Sequence, residues 1–198
     1  VSASSFLSAL NHQGATLVGT PVEFAVFIAA GVSETPVTEF DTYARRAIAV
    51  GAAQIGAGTT VLRYDPETGE LSPVPSWIDR SGAQPVLTFT RKGTSIYMAA
   101  RKTSTAFADM AGHWARNDVE LLSAKFIVDA KTGQNFAPKE AITRADFAKF
   151  IARGLGLSSD RASADRFRDV GINHAYASYI GAASKAGIVE GGTDGRFR

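Results

Sequence analysis

The chain has 198 residues, 45% hydrophobic and 20% charged, with a formal net charge of +2 and no cysteine. Such a composition folds, and no apolar run approaches the ~18 residues of a membrane-spanning helix, so neither a disordered chain nor an inserted membrane protein fits. The small net charge gives too little attraction for nucleic acid, and the lack of cysteine removes disulfides, thiol catalysis and thiolate metal sites.

The length suits one large domain or two small ones. Val1-Ser2-Ala3-Ser4-Ser5 carries no initiator Met and no apolar leader core, and Gly195-Arg196-Phe197-Arg198 stops without a cap. Both ends read as cuts from something longer.

Residues 1–105 are rich in β-branched and aromatic residues, in short runs between Gly, Pro and Ser, as in an antiparallel β domain. Strands are predicted at 22–28, 43–50, 60–64, 70–73, 85–90 and 95–100. Between two of them, Asp65-Pro66-Glu67-Thr68-Gly69-Glu70 has Pro and Gly where a tight hairpin needs them, pairing 60–64 with the strand at Leu71. The same carboxylates suit a calcium loop less well than a solvated turn.

From Phe107 the hydrophobic period changes from two to about 3.6. In 113–126 the positions Ala115, Val119, Leu122 and Phe126 draw one apolar stripe along a helix. Thr143-Arg144-Ala145-Asp146 is a capping-box arrangement opening a second helix, with Phe147, Phe150, Ile151 and Leu155 expected inward and Gly154 and Gly156 at its end.

The second half repeats itself. Phe107-Ala108-Asp109-Met110 returns 60 residues later as Phe167-Arg168-Asp169-Val170, and Ile127 and Phe136 return 61 residues later as Ile188 and Phe197. Counterparts of Pro138 and of the Thr143-capped helix are expected beyond Arg198. Ile180 and Ala183 then form an apolar stripe with no cover, which predicts self-association.

The sequence Phe107-x-Asp109, His113-Trp114-Ala115, Phe126-Ile127-Val128, Phe136-Ala137-Pro138 and Ile142-Thr143-Arg144-Ala145-Asp146-Phe147-Ala148 resembles the S-layer homology (SLH) repeat. Asp146 stands where that family usually has Glu, and Asn173-His174-Ala175-Tyr176 departs from its Trp-centred helix start. The resemblance implies an extracellular bacterial protein of the cell wall or S-layer. Three such repeats typically form a bundle held on a secondary cell-wall polysaccharide, often pyruvylated, or a related peptidoglycan-associated glycan. It implies an α+β multidomain chain: a β-sandwich-like spacer or adhesive domain at 1–105, a first repeat at 106–165 and a partial second at 166–198. The β half also looks like regions preceding such repeats in surface proteins and glycan-degrading enzymes. It could therefore be a carbohydrate-binding or glycan-processing module of a larger glycoside hydrolase.

The resemblance makes Arg144 the first candidate for holding a polymer, and a guanidinium at a helix start suits a carboxylate such as a pyruvate ketal. The alternative is a structural pair with Asp109 or Asp146. Thr143 accompanies Arg144 in the same signature. Trp114 offers a flat face to a sugar or a staple to the repeat core. Asp109 is a ligand group or a turn acceptor. Gly187 and Gly191 either admit a polymer to the backbone or end a helix. No catalytic residue, metal site or cofactor is expected: HExxH, GxSxG and Walker patterns are absent, and His12, His113 and His174 lie far apart in sequence.

Overall fold

The computed structural model describes residues 3–103, 105–171 and 173–198; the expectation drawn from Val1 and Ser2 lies outside them. Among the described residues the fold is α+β, with helix α1 (Ala3–His12), strands β1 (Ala15–Phe24), β2 (Phe27–Ala30), β3 (Ser33–Pro36), β4 (Glu39–Ala49), β5 (Thr60–Tyr64), β6 (Leu71–Val74), β7 (Ser76–Asp79), β8 (Val86–Gly93) and β9 (Ser95–Lys102), then α2 (Arg116–Ala124), α3 (Arg144–Gly154) and α4 (Ala177–Lys185).

The strands are antiparallel and form a four-stranded sheet, β1-β9-β5-β6, a three-stranded sheet, β4-β8-β7, and the β2–β3 hairpin. The predicted hairpin pairs in register, Tyr64 with Leu71 and Val61 with Val74. Asp65 accepts the N–H groups of Glu67 and Thr68 and an ion pair from Arg63. Those contacts make the 65–70 segment a turn.

Side-chain alternation explains the packing. Val61, Tyr97 and Ala99 point from the larger sheet toward Ile48, Leu87 and Phe89 of the smaller one. Leu62, Met98 and Ala100 point the opposite way, where Phe6 and Leu10 of α1 cover them. With both faces of β5 and β9 buried, these strands read as apolar runs rather than alternating ones.

Four elements differ from expectation. Helix α1 was not foreseen, because its Ser-rich sequence shows only Phe6 and Leu10 as an inward pair. The strand predicted at 22–28 is interrupted after Phe24, where the chain leaves the large sheet for the β2–β3 hairpin. That hairpin turns at Gly31, which has φ +64°. Strand β7 follows β6 after the single residue Pro75, too short a punctuation to notice.

The two halves fit closely. Gly156 has φ +61°, and a Cβ there would lie 2.6 Å from Pro75 Cδ. Arg91, only 5% exposed, donates to Ser158 Oγ at 2.7 Å. Tyr43 donates to the Leu155 carbonyl at 3.1 Å, and Lys125 to that of Ser76 at 3.2 Å. Phe126 leaves the helical half altogether and joins the cluster under α1.

The helical stripes also differ in detail. On α2 the buried positions are Val119, Ser123 and Ala124, while Leu122 is half-exposed, because Phe126 packs under α1 and turns the buried face toward Ser123. On α3 the buried face is Ala148, Lys149 and Ala152, and Phe147 and Leu155 face outward. Small alanines let α4 approach α3. Ile180 and Ala183 are accordingly fully buried among Ala148, Phe167, Val170 and Phe197, with Ala145 and Ile151 packed beside them. The stripe on which the expected self-association rested is buried within the chain, between α3 of the first repeat and Phe167, Val170 and Phe197 of the second.

Candidate functional site

The repeat is a geometric one. Asp109 accepts the backbone N–H groups of Phe136 and Ala137 at 2.9 and 2.7 Å. Asp169 does the same for Phe197 and Arg198, at 2.6 and 2.7 Å. His113 Nδ1 accepts from the N–H of Ala115, and His174 Nδ1 from that of Tyr176. Both helix-start histidines therefore present an acceptor to the first turn, although Ala175 replaces Trp114. After the helices, Phe126 and Gly187 share a left-handed backbone, φ +62° and +71°.

Desolvation alone would raise the Asp109 carboxyl, but the Phe136 and Ala137 N–H groups and nearby His113 hold it below its ordinary value. For Asp169 the Phe197 N–H, against some desolvation and with help from Arg198 N–H and Arg196, does the same. Asp109 thus ties two ends of a loop together.

The two repeats meet at a groove of about 600 Å³. One wall is the start of α3, with Ile142, Thr143, Arg144 and Phe147; the other is the loop after α4, from Gly187 to Glu190, with Phe197 between them. Arg144 Nη2 donates to the Glu190 carbonyl at 2.6 Å, and the guanidinium lies 4.9 Å from the Phe197 ring centre. Arg144 thus bonds neither Asp109 nor Asp146. A guanidinium carries five N–H donors, so one bond to a carbonyl leaves donors for a planar acid. Ile142, Phe147 and Ile188 are 58%, 45% and 37% exposed, giving the groove apolar flanks.

The other candidates separate. Thr143 caps α3: its hydroxyl accepts the Asp146 N–H at 3.0 Å and donates to the Asp146 carboxylate at 2.7 Å. Gly187 ends α4 and also lines the groove. Gly191 is a packing residue, since a Cβ there would lie 2.7 Å from the Phe167 ring. Trp114 is 88% exposed, its ring tilted against that of His113 with centres 5.6 Å apart, outside the groove and outside the core. Sequence reasoning missed Phe147, Ile188 and Glu190 as walls. The aligned pair Phe136 and Phe197 was the signal that loops of the two repeats are equivalent.

Two helical units in tandem, each tied by an aspartate, thus meet at an arginine-bearing groove. The S-layer homology domain family matches residues 106–148 and 166–198, and these two segments are S-layer homology repeats. It is 35% identical to an amylopullulanase of Thermoanaerobacterium thermosulfurigenes over 131 residues, 66% of this chain and 7% of that protein. It is 36% identical to endo-1,4-beta-xylanase A of Thermoanaerobacterium saccharolyticum over 116 residues, 59% of this chain and 10% of that one. With S-layer protein EA1 of Bacillus anthracis it shares 35% identity over 87 residues, 43% and 10% of the two chains. The chain thus spans a tenth or less of these relatives. The amylopullulanase match is longer than the stretch from 106 to 198 and so reaches into the β half. No solved structure matches the chain significantly. The family and its S-layer relatives make this an extracellular, cell-surface protein of a bacterium.

Proposed function

We propose that this chain tethers a surface protein to the cell wall non-covalently, with the groove at Arg144 receiving an acidic group of a wall glycan such as the pyruvate ketal of a secondary cell-wall polysaccharide. The observation that carries the reading is a guanidinium held over Phe197 at the mouth of an open groove between repeats. A carboxylate there meets planar donors, apolar flanks for a ketal methyl group, and the positive end of α3.

In this reading 1–105 is a β-rich spacer, 106–165 the first repeat and 166–198 the second, and none of them is catalytic. The rival, a sugar-binding β half, needs aromatic faces open to solvent. Of its three exposed rings among the described residues, Trp77 and Tyr43 are faced by Arg45 at 5.6 Å and Lys92 at 5.7 Å, which leaves the single Phe27 on the β2–β3 hairpin rather than a strip of open faces. Those cations favour a spacer.

Co-sedimentation with purified walls tests the proposal. Binding should fall when the ketals are removed by mild acid and should be competed by soluble pyruvylated fragments. Undiminished binding to ketal-free walls would overturn it.

A further inference from the structure

A second concavity, of about 170 Å³, lies beside the first turn of α3 and shares Ile142 with the Arg144 groove. Phe136 and Pro138, from the loop ahead of α3, line it together with Phe150 and, from the second repeat, Tyr176. Lys149, 6% exposed, also lines it. Its Nζ lies 4.4 Å from the Tyr176 ring centre and 4.9 Å from that of Phe150. The same ammonium is 3.3 Å from Tyr176 Oη and 3.6 Å from Asp129 Oδ2, a carboxylate also ion-paired to Arg153.

Charge decides what this pocket accepts. Asp129, Glu140 and Asp146 line it together with Lys149 and Lys131, the latter paired to Glu140, and a third cation, Arg153, pairs with Asp129 from outside the lining. The signs balance, so neither an anion nor a cation is favoured over its hydration. What remains is a lining of charged donors and acceptors around aromatic and proline surfaces. That pattern suits a ligand whose edge carries hydroxyls, each donating and accepting, and whose faces are C–H. The volume is below the ~300–1,000 Å³ of pockets for drug-sized molecules, which limits the occupant to a single ring.

We infer that this pocket binds one uncharged pyranose ring, adjacent to the acid-binding groove at Arg144. Only the source of the ring, the same wall glycan, rests on the proposed function. Because Ile142 borders both concavities, a polymer crossing the start of α3 places an acidic unit on one side and a neutral unit on the other. Linking the two contacts raises affinity beyond either alone.

Amide NMR of the whole chain, titrated separately with N-acetylglucosamine, methyl β-glucopyranoside and pyruvate, tests the pocket. The neutral sugars should shift Lys149, Phe150 and Tyr176 and leave Gly187 and Glu190 in place; pyruvate should do the reverse. Ala141→Leu, at an exposed position lining the pocket, fills it and should weaken sugar binding about tenfold or more, with pyruvate shifts and melting curve unchanged. Lys149→Met should also abolish the sugar response. Neutral sugars that shift nothing near Lys149, or shift it equally in Ala141→Leu, overturn the inference. So does pyruvate binding at Lys149. Loss of the pyruvate response at Glu190 alone would instead count against the Arg144 groove.

Discussion

Arg144 of the first repeat lies with its guanidinium 4.9 Å from the ring centre of Phe197 in the second. The contact crosses the repeat boundary, so the groove exists only where two repeats meet. Arg144→Ala should strongly reduce wall binding. The side chain is exposed and its contacts are one carbonyl bond and one cation–π contact with the buried Phe197 ring, so stability should fall by only about 1–2 kcal/mol. Arg144→Lys keeps the charge but loses the planar fork, and should recover part of the binding at most. Sedimentation beside thermal melting separates the effects; a large melting shift with unchanged binding would make Arg144 a structural residue.

The depressed carboxyls of Asp109 and Asp169 predict an acid dependence. Each has a folded value below its ordinary 3.8. The sign follows from linkage: the unfolded chain takes up protons first, so this stabilisation is complete above pH ~4 and is lost as pH falls through the lower folded values. Asp109→Asn removes one of the two groups and leaves weaker acceptor geometry for Phe136 and Ala137. Its stability should be lower at neutral pH and should vary less with pH below ~4. Denaturant unfolding between pH 2 and 7 gives both curves; parallel curves for variant and parent would refute the role.

Much of the helical half was legible because its signals are local. Thr143 and Asp146 lie three residues apart, and their cap forms as the spacing implies, except that the carboxylate takes the hydroxyl rather than a backbone N–H. The hairpin at 65–70 was legible for the same reason. What escaped depends on partners remote in sequence. Whether Phe147 points inward is decided by α4 packing on the alanine face of α3, and whether Ile180 is covered is decided jointly by Ala145 and Ala148 of α3, more than 30 positions away, and by the turns at Phe167 and Val170. Trp114 gave no sign of being exposed, since an aromatic at a helix start serves a core or a surface equally. Arg144 drew attention, yet its contact with Glu190 lies 46 residues away.

Gly187 and Phe126 occupy the same left-handed position by different means. Glycine adopts φ +71° without strain, whereas phenylalanine adopts φ +62° against its preference and is held there by burial under α1. Gly187→Ala should therefore cost about 1 kcal/mol despite open space around a Cβ. Phe126→Gly relieves backbone strain but empties a packed site, and should cost a net ~2–4 kcal/mol. Chemical denaturation of the two variants checks the contrast. A Phe126→Gly protein as stable as the parent would mean that the cluster under α1 does not hold the two halves together.

Ile180 is fully buried between α3 and the turns at Phe167 and Val170. If the first repeat shields it as the contacts indicate, Ile180→Ala should destabilise the chain by about 2–5 kcal/mol, the usual range for emptying a packed aliphatic site. Ile180→Asp should prevent the second repeat from docking. Under the opposite arrangement, with the stripe facing solvent, either change would be nearly neutral and would suppress dimers. Light scattering across a hundredfold concentration range distinguishes the two. The expected result is a mass that stays constant in the parent, with the melting temperature of Ile180→Ala falling by several degrees. A parent mass that doubles with concentration and is restored to monomer by Ile180→Asp would show that α4 packs against a second copy instead of against α3.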